Sequence, residues 1–180
     1  MARARPGAVD IATAGAATAQ HMSIALLRLR TGLRFNVVHY RGSGPAVTDL
    51  VAGNVPVMCD SIPSALPHLR AGRARALAVT GARRMPALPE VPTVGETVSP
   101  GYESGGWIGL AAPAATPPAI VRKINADVVA ILQEPAMANR LLEMGTIPDP
   151  GPPEQFAAFI RSEIAKWREV ARAANVRLEG

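Results

Sequence analysis

Residues 37–96 read VVHYRGSGPAVTDLVAGNVPVMCDSIPSALPHLRAGRARALAVTGARRMPALPEVPTVGE, and this stretch decides the fold. Short apolar runs alternate in it with segments of helical spacing. Phe35-Asn36-Val37-Val38 reads as a strand, Tyr40 to Pro45 as a glycine-bearing turn, and Ala46 to Val51 as a short helix closed by Gly53. Val55 to Cys59 reads as the next strand, ended by Asp60-Ser61, with Pro63 to Ala71 helical and Ala76 to Thr80 a fourth strand. Strands alternating with helices at this spacing predict an α/β fold with a largely parallel sheet covered on both faces. In such sheets ligands sit outside the carboxyl ends of the strands. The turns at those ends are therefore the first candidates for contact.

The same unit precedes this stretch. Val9 to Thr13 reads as a strand, Ala14 to Ala17 as a turn of small residues, and Thr18 as a helix N-cap whose hydroxyl accepts from first-turn amides. Met22, Ala25, Leu26 and Leu29 follow at helical spacing and Gly32 ends the helix. Beyond Arg83 the texture changes. Pro86, Pro89 and Pro92 make an irregular connection. Gly105 to Ala112 reads as a strand. Thr116-Pro117 reads as a cap followed by proline at the first helical position, with Ile120, Ile124, Val128 and Ile131 on one face. A second helix is expected over 135–144, and a long one from Pro153 carries Phe156, Ile160, Ile164, Trp167 and Ala171 on one stripe. These apolar faces need a partner, and the strands of the second half are too few to supply one. The second half reads as a portion of a domain.

Composition excludes several classes. The net charge of +5 comes from arginines (all basic residues but Lys123 and Lys166) scattered along the chain, without the interleaved aromatics of a nucleic-acid module. No apolar run approaches the roughly 18 residues that span a bilayer. The start, MARARPGAVDIATAG, lacks the apolar region of an export signal. Cys59 is the single cysteine and sits in an apolar run, where packing explains it better than nucleophilic chemistry. His21, His39 and His68 have no metal-binding spacing, and no nucleophile elbow, P-loop or dinucleotide fingerprint is present. Neither a cofactor nor a metal is expected.

Several segments together carry a resemblance: Thr13-Ala14-Gly15-Ala16-Ala17-Thr18 with His21, Tyr40-Arg41-Gly42-Ser43-Gly44-Pro45-Ala46, and Asp49 to Val55. Arg70 to Thr80, Leu88 to Glu96, and Gly101-Tyr102 with Trp107 complete it. In order and spacing the chain resembles the solute-binding receptors of tripartite tricarboxylate transporters, the Bug or TctC family, of type II periplasmic binding-protein architecture. The resemblance implies two lobes with a small carboxylate in the cleft between them, no enzymatic activity, membrane transporter subunits as partners, and a periplasmic location. It implies that residues 8–104 are the second, ligand-binding lobe and residues 105–180 a crossover strand and C-terminal helices of an incomplete first lobe. The chain is then expected to be N-terminally truncated, impaired in binding, and inclined to self-associate through exposed apolar faces. A doubly wound enzyme and a non-functional remnant are the alternatives.

The resemblance also implies that the ligand is held mainly by backbone N–H groups. On that reading the site is Thr13, Gly15, Ala16, Thr18, Tyr40, Gly42, Ser43 and Asp60. Gly15 lets the backbone approach the ligand, and the helix start behind it favours an anion. Thr13 and Thr18 add hydroxyls, Gly42 and Ser43 form a second turn beside Tyr40, and Asp60 accepts from a ligand donor. Thr18 also serves as a cap, Tyr40 also packs at a strand end, and Asp60 also caps the turn after it. His39, Cys59 and Pro152 depart from the family pattern, and Pro152 leaves the last helix without a side-chain cap.

Overall fold

A computed structural model describes residues 2–176. In chain order these form β1 (Asp10–Thr13), α1 (Ala19–Thr31), β2 (Asn36–His39), α2 (Ser43–Ala52), β3 (Val57–Met58) and α3 (Ile62–Arg70). Then follow α4 (Val94–Thr97), α5 (Pro118–Gln133), α6 (Pro135–Glu143) and α7 (Pro153–Ala173).

The strands form one parallel sheet in the order β2-β1-β3. Asp10 to Thr13 pair with Asn36 to His39 on one side, and Ile11 and Ala12 pair with Val57 and Met58 on the other. β1 is thus central, and Ile11, Ala12 and Thr13 are buried. The step from β1 to β2 and the step back past β1 to β3 run in opposite directions. Right-handed crossovers then place α1 and α2 on opposite faces of the sheet. Ala12, Ala46 and Val55 make the small core under α2, with Tyr40, Leu50 and Met58 around it.

Local chemistry sets the helix ends. Thr18 caps α1, accepting from His21 N, and Gly32 closes it at φ 67°, its amide donating to the Arg28 carbonyl. Arg28 and Arg30 lie in the last turn, where the helix dipole favours cations. α2 opens after Gly42 (φ 109°) and closes at Gly53. Thr93 and Glu96 form a capping box around α4, a four-residue helix the sequence pattern does not announce.

Three expectations are corrected. Ala76 to Thr80 is not a strand: only Val79 pairs, in parallel, with Thr93. Val79 N donates to Pro92 O and Val94 N to Val79 O, and the prolines at 89 and 92 have no amide with which to extend the ladder. Gly105 to Ala112 forms no strand and makes no backbone hydrogen bond among the described residues. A strand needs a neighbour, and none of the described strands lies beside it. Thr116 does not cap α5: the cap position is Pro117, extended (ψ 136°) as a residue before proline must be, and Pro118 takes the first helical position. Packing also links residues 8–104 to the helices that follow them. Val170 of α7 is buried with Met22, Ala25, Leu26, Val94 and Tyr102, and Trp167 and Ala171 pack against them. The C-terminal half of α7 therefore shares the core of α1. As expected from Pro152, α7 has no side-chain cap.

A chain of hydroxyls strengthens that core. Ser23 Oγ donates to the Ala19 carbonyl at 2.8 Å, so its lone pair receives the Ser104 hydroxyl at 2.6 Å. Tyr102 Oη donates to the Ser23 carbonyl at 2.9 Å, and Ser104 N to Thr80 O at 2.8 Å. The irregular segment 102–104 is stapled to α1 by these bonds. Beyond it the chain is less covered: Ile108 is 95% exposed, and Trp107 meets Phe156 and Phe159 edge-on at 5.4 and 5.6 Å while 46% exposed.

Candidate functional site

The eight residues named from the sequence gather at the carboxyl edge of the sheet. The loop after β1 and the turn after β2 are stitched together, with Tyr40 N donating to Thr13 O at 3.0 Å and Gly42 N to Ala14 O at 2.8 Å. The start of α2 is tied to the end of β3, where Ser43 Oγ donates to Asp60 Oδ1 at 2.6 Å. Cys59 N donates to Ala12 O at 2.9 Å, bringing the third strand end to the first.

Within this edge the residues divide by role. Thr13 is fully buried, and its hydroxyl lies 2.9 Å from His39 Nδ1. It shapes the turn and offers a ligand nothing, which corrects the expectation of a free donor. Thr18 Oγ1 donates to the Gly15 carbonyl at 2.8 Å while accepting from His21 N at 3.4 Å. Its one proton is committed to the loop. Tyr40 packs on the core under α2, and its hydroxyl donates to Asp49 Oδ2 at 2.8 Å. That bond holds the phenol above its ordinary pKa, while Asn54 and then Tyr40 hold the Asp49 carboxyl below its own. Tyr40 therefore anchors α2 beneath the site.

What remains is backbone. The amides of Gly15, Ala16 and Thr18 make no hydrogen bond among the described residues, nor do those of Ser43 and Gly44 in the first turn of α2. Gly15 sits at φ 154°, and a Cβ there would meet Thr18 Cγ2 at 3.3 Å and the Tyr40 carbonyl at 3.4 Å. Unpaired amides at two helix starts are donors for an anion. Asp60 is the one carboxylate among them. Its Oδ1 accepts from Ser43 and from the adjacent Ser61 N (2.8 Å), while Oδ2 is enclosed without a partner among the described residues. Beside it, burial and then the Asp60 charge push the Cys59 thiol up to about 12. A thiol so held is protonated and is no nucleophile. Among the described residues no group of three or more His, Cys, Asp or Glu is placed to hold a metal.

Neither His21 nor Asp49 is among the site residues the sequence points to. His21 Nδ1 accepts the Ala17 amide at 2.9 Å, and its ring lies 4.4 Å from that of His39 with the planes tilted by 59°. The one available signal for this is the position of His21 in the first turn after the Thr18 cap. A partner such as Asp49 for Tyr40 is set by the turn between them, which the residues' types do not reveal.

Free amides thus converge at the strand ends of a parallel α/β lobe. The chain belongs to the family described as the tripartite tricarboxylate transporter family receptor, which it matches over residues 1–176. It is 41% identical over 170 residues to a UPF0065 protein from the tcbD-tcbE intergenic region of Pseudomonas sp. strain P51, covering 94% of this chain and 51% of that protein. It is 35% identical to protein BugT of Bordetella pertussis, covering 98% and 54%. Among solved structures, R. palustris Rpa4515 with adipate aligns at a TM-score of 0.90 with 36% identity, over 97% of this chain and 58% of that one. MatC from Rhodopseudomonas palustris with bound malate aligns at 0.76, also with 36% identity, over 91% and 57%. The chain thus spans about half the length of the curated relatives just named. The family is one of receptors rather than enzymes.

Proposed function

We propose that this chain supplies the amide-bearing wall of a receptor site for small carboxylates. The receptor would work in the periplasm with the membrane subunits of a tripartite transporter. The observation that carries the reading is the set of free amides at Gly15, Ala16, Thr18, Ser43 and Gly44, gathered where two helices begin. Amides aimed from helix starts stabilise a carboxylate without a counter-cation. Solved relatives hold adipate and malate, both dicarboxylates. Asp60 disfavours a second negative group on its own side, so one carboxylate would sit on the amides and the rest of the ligand would point away.

Backbone donors on one wall give modest affinity. A dissociation constant on the order of 1 mM is expected for adipate or malate with this chain alone. Isothermal calorimetry checks it: micromolar binding would show that a single wall suffices, and no saturable heat with any dicarboxylate would sink the reading.

A second body is proposed to cover the apolar side chains left in solvent. Ile108, Leu110 (71% exposed) and Ile164 (53% exposed) are too many large apolar groups to stay hydrated without consequence. Alone, the chain is expected to self-associate. A concentration-independent monomer by light scattering would contradict this.

A further inference from the structure

Ala17 stands at φ 56°, a left-handed conformation that costs a residue with a Cβ about 1 kcal/mol. It lies in the loop whose amides form the site, and something must hold it there. Its amide donates to His21 Nδ1 at 2.9 Å. An amide can only donate, so Nδ1 must carry a lone pair and the ring proton must sit on Nε2. His39 is bound differently. Its Nδ1 meets the Thr13 hydroxyl, which can either donate or accept. Protonation of His39 therefore keeps its bond, whereas protonation of His21 places a hydrogen on Nδ1 facing the Ala17 N–H.

We propose that His21 and His39 form a proton-operated latch: with both rings neutral, His21 holds the Ala14–Thr18 loop in its strained shape, and protonation of His21 releases it. The two rings are 4.4 Å apart, so a charge on the His39 ring opposes one on His21. The charged or titratable groups around the His21 ring are His39 from β2 and Arg28 from its own helix; the loop after β1 faces it with the uncharged Ala17. Burial first, then His39 and Arg28, hold the His21 pKa below its ordinary value. The sign follows. The unfolded chain binds the proton more readily, so the stability His21 contributes is complete above the unfolded value of about 6.5 and is lost as pH falls through the lower folded one. That the latch governs carboxylate capture rests on the site reading above; its operation does not, and it can be read without ligand.

The test is a proton titration of the full chain by nuclear magnetic resonance, following the Ala17 amide and both imidazoles without ligand. The Ala17 amide is expected to shift, and to lose roughly fivefold or more of its exchange protection, with the midpoint of His21 below about 6.5. His21→Asn keeps an acceptor at the Nδ1 position and does not titrate, so its Ala17 signal should be flat across the same range. His39→Asn should raise the His21 midpoint. An Ala17 amide that ignores the His21 titration, or a transition that survives in His21→Asn at the same midpoint, would overturn the latch. A chain that shows the transition yet binds no dicarboxylate would refute the site reading and leave the latch standing.

Discussion

Tyr102→Ala is expected to lower the unfolding free energy by about 3–5 kcal/mol, a large share of the roughly 5–15 kcal/mol that holds a domain of ordinary size. The ring is 3% exposed and sits among Met22, Ala25 and Leu26 of α1, Val94 of α4 and Val170 of α7, so its removal opens a cavity where three elements meet. The hydroxyl adds less. Tyr102→Phe keeps the ring and gives up the 2.9 Å bond to the Ser23 carbonyl, a change worth about 1 kcal/mol. Urea unfolding followed through Trp167, which packs on the same cluster, separates the two. If the phenylalanine variant loses as much as the alanine variant, packing is not what makes this residue matter.

Gly15→Val is the variant expected to abolish carboxylate binding while leaving the sheet folded. The residue's φ of 154° is open to glycine, and a side chain there carries strain of roughly 1–3 kcal/mol. Its Cβ would also stand 3.3 Å from Thr18 Cγ2 and 3.4 Å from the Tyr40 carbonyl. The loop can relieve both by rotating, and rotation turns the amides of Gly15 and Ala16 away from the α2 start. Gly15→Ala, with less bulk, should weaken binding by a smaller factor. Adipate titrations followed through the loop amide signals measure the series. Unchanged affinity in the valine variant would remove this loop from the site.

Much of this arrangement is legible in the residues because it is local. Thr18 and Gly32 bracket α1, Pro153 opens α7, and the three apolar runs around Ile11, Val37 and Val57 pair as strands. What is not legible depends on partners far along the chain. Ala76 to Thr80 has the composition of a strand, but its one neighbour is interrupted by prolines. Thr13 has the type of a ligand donor, yet its hydroxyl is taken by a histidine 26 positions away. Tyr40 looks like a site residue until Asp49 is seen to hold it. The free amides of the proposed site are readable for the opposite reason. Small residues between a strand and a capped helix leave amides unpaired whatever else the chain does.

The segment from Gly105 to Ala112 has a consequence for how this polypeptide behaves at high concentration. Its amides and carbonyls are unpaired among the described residues, and Ile108 and Leu110 stand in solvent beside them. Such a run is a template on which another molecule can lay a strand, the first step of fibre growth. Gly105, Gly106 and Gly109 interrupt the side-chain contacts a fibre needs, and Pro113 ends the run of amides. The same eight residues thus present an adhesive edge and carry its gatekeepers, so assemblies grown from it should be short and reversible rather than amyloid.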